Sequence, residues 1–131
     1  MAMEEALVAR LVAALGGTVG NRVSWFERQR GDGLPALTLN PVSPGRSYAH
    51  DGPDELDGPR VQIDCWAARA DTVQTLRRAV RAEMETAADV AGVRFYPAFV
   101  ENDTWIGADE QDSGEPLFRV ILDFQFYHEE L

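Results

Sequence analysis

The chain has 131 residues, of which 45% are hydrophobic and 26% charged, with 12 basic and 22 acidic side chains that leave a net charge of −10. That length holds one domain, residues 1–131, around one core, and no apolar run approaches the roughly 18 residues that would cross a bilayer. Phosphate binding is driven by Lys and Arg, so a chain this acidic is poorly suited to gripping nucleic acid.

Residues 3–15 carry Leu7, Val8, Leu11, Val12 and Leu15 at helical spacing, with Glu4 and Glu5 in the first turn and Gly16-Gly17 as the expected stop. Burying five such side chains contributes about 8–15 kcal/mol before conformational entropy is subtracted. Those two glutamates also stand where a secretory signal would carry positive charge, so synthesis in the cytoplasm is expected. Residues 21–28 read as a first strand around Val23, Trp25 and Phe26, Gly31 to Gly33 as a turn, and residues 34–42 as a second strand. Pro35 and Pro41 lack an N–H and predict a sheet edge or a bulge there.

Residues 43–59 form a long loop rich in Gly, Pro and Asp. The pattern then alternates, with Val61, Ile63 and Cys65 on one face and Gln62, Asp64 and Trp66 on the other, which predicts a strand over residues 60–67. Cys65 is the only cysteine and is expected to be a small core residue. A second helix is expected over residues 72–88, capped by Asp71 with Gln74 three positions on, and with Val73, Leu76, Val80, Met84 and Ala87 along one face. Arg77, Arg78 and Arg81 lie off that stripe beside Glu83 and Glu85, as on a solvated face of mixed charge. A strand over residues 93–100, a polar loop over 101–116 and a last strand over 117–127 complete the order. Phe118, Val120, Leu122, Phe124 and Phe126 share one face of that last strand. The order predicts an α+β fold: an antiparallel or mixed β-sheet of about four to five strands with two helices packed on one face.

Candidate chemistry is sparse. His50-Asp51 are neighbours, yet adjacent side chains seldom face each other, and no nucleophile has an elbow context. The acidic stretches at Asp51, Asp54, Glu55 and Asp57, and at Asp109, Glu110 and Asp112, lack the alternation that surrounds a calcium ion. Solvated loop carboxylates are the simpler account. No cofactor and no metal site is expected. Trp105 and Ile106 stand out in the polar 101–116 stretch. Large apolar side chains there either fold back on the core or enter a partner.

Read as words, the block from Tyr48-Ala-His-Asp-Gly to Val61-Gln-Ile-Asp-Cys-Trp-Ala67, followed at once by a helix, resembles the small tail-completion proteins of long-tailed phages. That group includes the tail-terminator proteins of prophages and gene transfer agents. The amphipathic first helix, Gly20-Asn-Arg-Val23, Leu34-Pro35 and the closing Leu117-Phe-Arg-Val-Ile-Leu-Asp-Phe124 extend the resemblance over most of the chain. Asn40-Pro41 and the length of the acidic stretch after Val100 depart from it.

The resemblance implies a structural protein without catalysis. It would form a ring, typically a hexamer, at the head-proximal end of a tail tube, stop tube polymerisation and present the surface that docks to the head connector. Its partners would be its own copies, the major tail tube protein and head-tail connector proteins. DNA would pass through without specific binding, and no membrane would be involved. The location would be the virion tail or neck, assembled in the bacterial cytoplasm. Arg46, Tyr48, His50, Asp51, Trp105 and Ile106 are the candidate subunit or tail and head contacts. Asp54, Glu55, Asp57, Asp109, Glu110 and Asp112 are candidates to line the bore, where carboxylates would repel phosphates. A neck role as a head-tail connector component is the nearest alternative, and a small enzyme or regulatory binding domain a remoter one.

Overall fold

The computed structural model of the chain describes residues 3–28, 33–43, 48–49, 52–53, 58–110 and 116–131, with the backbone alone at 43, 48–49, 52–53 and 108–110. Leu7, Leu11, Leu15 and Val19 recur every fourth residue and are buried along helix α1 (Met3–Val19). Burial of Val19 draws the helix one turn past the expected glycine stop. It ends instead at Gly20, whose φ of +60° is left-handed and whose N–H bonds to the Gly16 carbonyl at 2.9 Å.

The main sheet is built from β1 (Val23–Trp25), β2 (Ala36–Ser43), β5 (Arg60–Ala67), β8 (Phe99–Glu110) and β9 (Pro116–Gln125), in the order β1-β2-β5-β9-β8. All neighbours are antiparallel except β1 with β2. Two short strands in the long loop, β3 (Tyr48–Ala49) and β4 (Gly52–Pro53), pair with each other. The register of β2 shifts between Pro41 and Ser43, which is the bulge the prolines predict. Leu37, Leu39, Val61, Ile63, Cys65, Ala67, Val120, Leu122 and Phe124 form the buried face beneath the helices. The expected α+β architecture is what the chain adopts, a mixed sheet with both helices on one face.

Helix α2 spans Ala70–Met84, starting earlier and ending sooner than its sequence suggests. Its N-cap is Arg69, in extended geometry without a side-chain cap, so Asp71 sits inside the first turn and no capping box forms with Gln74. The Asp71 carboxylate accepts from the Thr72 N–H and from the Arg69 guanidinium. At the other end the carbonyls of the last turn and just beyond it are met by a buried cation from α1. Arg10, 2% exposed on α1, donates to the Glu83 and Thr86 carbonyls and to Glu83 Oε1 at 2.9 Å. Ala87, expected on the buried stripe, is exposed beyond the helix end.

A second, three-stranded sheet replaces the single strand expected over 93–100. It comprises β6 (Ala88–Val90), β7 (Val93–Phe95) and β10 (His128–Glu130), with β7 in the middle. Ala91 and Gly92 have φ of 52° and 80°, the two-residue turn that suits a tight hairpin. Phe95 and Phe126 from this region meet at 5.9 Å between ring centroids and close the core beside α1. The polar stretch over 101–110, expected as loop, is strand. Asn102 and Asp103 have little strand propensity, but β9 holds them opposite Asp123 and Leu122, and tertiary pairing overrides the local preference.

Replacing Arg10 by Met should cost about 3 kcal/mol, because it leaves the α2 carbonyls and Glu83 without their charged donor. Urea unfolding followed by circular dichroism would measure it. Cys65 is fully buried, and burial together with the Asp64 carboxylate pushes its thiol above the ordinary range. Thiol reagents should therefore label it only on unfolding. Stability should fall as pH rises past the ordinary thiol value near 8.5, where the unfolded chain loses a proton that the native chain keeps.

Candidate functional site

Strand β8 is twelve residues long and forms one margin of the main sheet, with β9 on one side and no paired strand among the described residues on the other. Its register slips twice against β9, between Val100 and Asn102 and between Trp105 and Gly107. The second slip centres on Ile106, and Gly107 there has a φ of +100°, which a side chain would strain. Phe99, Trp105 and Ile106 are exposed at 63%, 45% and 47%. Trp105 leans on Phe118 at 5.8 Å between centroids and still shows nearly half its surface. Both residues thus belong to an edge strand and not to a loop, and the sequence signal of large apolar groups among polar ones marked a true exposed patch.

What holds this edge to the body is Asp103. Its carboxylate receives Arg77 Nε at 2.8 Å and Arg81 Nη1 at 2.9 Å, both from α2. The hydrogen bond from Arg77, then that from Arg81, keeps this carboxyl below the usual range against the opposing effect of desolvation. Two of the three arginines read as a solvated face are therefore half-buried clamps, while Arg78 is exposed. The sequence carried no signal for this, because the partner lies 26 positions from Arg77 and 22 from Arg81.

The sheet face away from the helices carries a second feature. Asp64, 1% exposed, accepts from Arg119 Nε at 3.0 Å and from Gln62 Nε2 at 2.8 Å. Trp66 donates its indole N–H to Thr38 Oγ1 at 2.9 Å, and the guanidinium carbons of Arg119 and Arg28 lie 4.7 and 5.2 Å from its ring centroid. After β1 the chain turns at Phe26, with φ of 73° and 68% exposure. These groups bound an open recess of about 580 Å³. The alternation of Gln62, Asp64 and Trp66 away from the core was legible in sequence; their closure with Arg119 and Arg28 was not.

Of the other candidates, Arg46, His50, Asp51, Asp54, Glu55, Asp57 and Asp112 lie outside the described residues. Tyr48 pairs with Pro53 in the short β3–β4 hairpin, and Asp109 and Glu110 pair with Leu117 and Pro116 at the far end of β8, each described by its backbone alone. Among the described residues no group of three His, Cys, Asp or Glu is placed to hold a metal ion. No helix is long and apolar enough to cross a membrane.

The described surface thus carries an exposed edge strand at β8 and a polar recess on the outer sheet face. The family of tail completion protein gp17 matches residues 5–129. The chain belongs to that family. It is a structural component of a phage-type tail. A solved structure titled "Virion of native gene transfer agent (GTA) particle" contains a chain of the same fold, with a TM-score of 0.62 and 16% identity, over 98% of this protein and 95% of that chain. At that identity the likeness concerns the fold. None of the curated proteins matches the sequence.

In this tail-completion protein, Asp103→Asn should release β8 from α2 at a cost of about 1–3 kcal/mol. The depressed carboxyl contributes stability that is present above the ordinary range near 4 and lost as pH falls through its lower native value. The variant should therefore show a shallower acid limb in a plot of unfolding free energy against pH.

Proposed function

We propose that this tail-completion protein is the tail terminator: a ring, of six copies in the usual arrangement, seated on the head-proximal end of the tail tube. The ring blocks further tube subunits and offers its free side to the head connector. Its role is structural and involves no cofactor and no catalysis. The observation that carries the reading is the long β8 margin with Trp105 and Ile106 exposed, in a chain of the tail-completion family. An edge of this length invites a neighbour, and soluble monomers usually shorten, charge or cover such edges. In a closed ring every copy uses one face to meet a different face of the next, so the edge is covered without open polymerisation. The net charge of −10 suits a bore through which DNA slides without being gripped.

The test is assembly in cells that lack the protein. A terminator's absence gives tubes of uncontrolled length without heads. Tails of normal length that fail to join heads would instead assign the protein to the connector, and intact infectious particles would overturn both. Ile106→Arg in the restored chain should leave the thermal unfolding midpoint within a few degrees of the parent, since the side chain is half-exposed, but should reproduce the long-tail phenotype under the electron microscope.

A further inference from the structure

Strand β8 is weakly anchored for its length. Its ladder to β9 is interrupted at Glu101 and at Ile106, and each interruption bends and twists a bulged strand. No β8 side chain stands among the buried core residues described; Val100 alone packs partly against them. Between the two bulges, Asn102, Asp103, Thr104 and Trp105 run opposite Asp123, Leu122, Ile121 and Val120. Leu122 and Val120 are buried beneath the helices, so Asp103 and Trp105 share the helix side of the sheet. The pose of this segment against the body therefore depends on what the helix layer offers it.

What it offers is a pair of guanidinium groups one turn apart on α2. Arg77 Nε reaches both oxygens of Asp103, at 2.8 and 2.9 Å, and Arg81 Nη1 reaches Oδ2 at 2.9 Å. Both arginines are braced along the helix. Gln74 Oε1 accepts from Arg77 Nη1 and Glu85 Oε1 from Arg81 Nε, each at 3.3 Å. A planar, forked donor held in this way fixes direction as well as distance, which a flexible ammonium would not. Asp103 is only 17% exposed, so the contact is partly shielded from screening. Glu101 and Arg60, 3.6 Å apart and both exposed, form by contrast the kind of surface pair that contributes little. Trp105 stands two residues along the same face from Asp103, against Phe118.

We propose that Arg77 and Arg81 are positioning residues for assembly: through Asp103 they lock the segment between the two bulges, and so hold Trp105 and Ile106 in the pose that the neighbouring copy meets. This role rests on the ring reading above, and it is separate from the clamp's share of stability. An edge strand with few apolar anchors opens locally before the rest of the fold does. With the clamp closed, the edge is ordered before contact, which lowers the cost of docking. With the clamp broken, the chain still folds, but the margin no longer waits in one place.

The three tryptophans report on the clamp separately, because Trp25 is bonded to the Glu4 carbonyl, Trp66 to Thr38, and Trp105 lies on β8. In Asp103→Asn, the Trp105 indole N–H signal should shift in a nitrogen–proton correlation NMR spectrum while those of Trp25 and Trp66 stay. Replacing Arg77 and Arg81 together by Gln should do the same, and adding Asp103→Asn should do no more, since all three act at one contact. In restored cells held well below the unfolding midpoint, Asp103→Asn should lower the share of tails of normal length about tenfold, as Ile106→Arg does. Leu15→Ala in α1, which lowers the midpoint at least as far, should leave tail length normal at that temperature. Three tryptophan signals that move together, an unmoved Trp105, or normal tails from Asp103→Asn beside long ones from Ile106→Arg would overturn the positioning role and leave the terminator reading standing. Long tails from Leu15→Ala as from Asp103→Asn would overturn it too, by showing that stability alone governs the outcome. Normal tails from both β8 variants would remove β8 from the ring contact and overturn both.

Discussion

The Arg10 guanidinium ties three parts of the molecule that the chain separates widely. It rises from α1, donates to the Glu83 carbonyl at the negative end of α2 and to the Thr86 carbonyl just beyond it, and lies 5.2 Å from the Phe95 ring centroid of the small sheet. A cation this deeply buried is tolerable only when its donors are taken and its charge is answered, and Glu83 answers it. The arrangement fixes where α2 ends and how α1 sits beside it. Because α2 bears Arg77 and Arg81, it also fixes where the clamp on Asp103 falls, and so where β8 lies. The exposed β8 edge is thus positioned in part by a buried ion pair elsewhere in the helix layer.

With both helices on one face of the sheet, the opposite face has to be made compatible with water by side chains alone. Asp64, Arg119, Gln62, Trp66 and Thr38 do this as a bonded network in which the Asp64 carboxylate answers the Arg119 guanidinium, which leaves an ordered polar surface. The layout gives the molecule two unlike surfaces, a margin at β8 with exposed apolar side chains and a polar recess with an aromatic rim over β2, β5 and β9.

Membership of the tail-completion family explains why the described residues show their specialised chemistry at surfaces. Burial among the described residues is mostly apolar, with Arg10, Thr38, Asp64 and His128 as the polar exceptions, and the bonded polar groups Arg10, Asp64 and Thr38 serve to orient elements and aromatic rings. Such preorganisation lowers the entropic cost of any contact made there.

The strand Arg60–Ala67, the stripe of α1, the last strand and the α+β layering were all legible in the sequence, because hydrophobic period reports which face of an element is buried. So was the membership of the family, which lives in the order of words along the chain. Other features depended on contacts between distant positions. Strand β8 was hidden because its polar residues look like loop until Asp103 meets Arg77 and Arg81. The end of α2 was hidden because Arg10 supplies it from 73 positions away. Phe26 and Trp66 were visible as aromatic residues, but only the turn after β1 brings Arg28 over the indole. Local periodicity determined the elements and the side of each that faces the core; charge pairing across the chain decided where the elements stop, and which surfaces they leave for a neighbour, because a residue's ionic partner carries no periodic signature in its own neighbourhood.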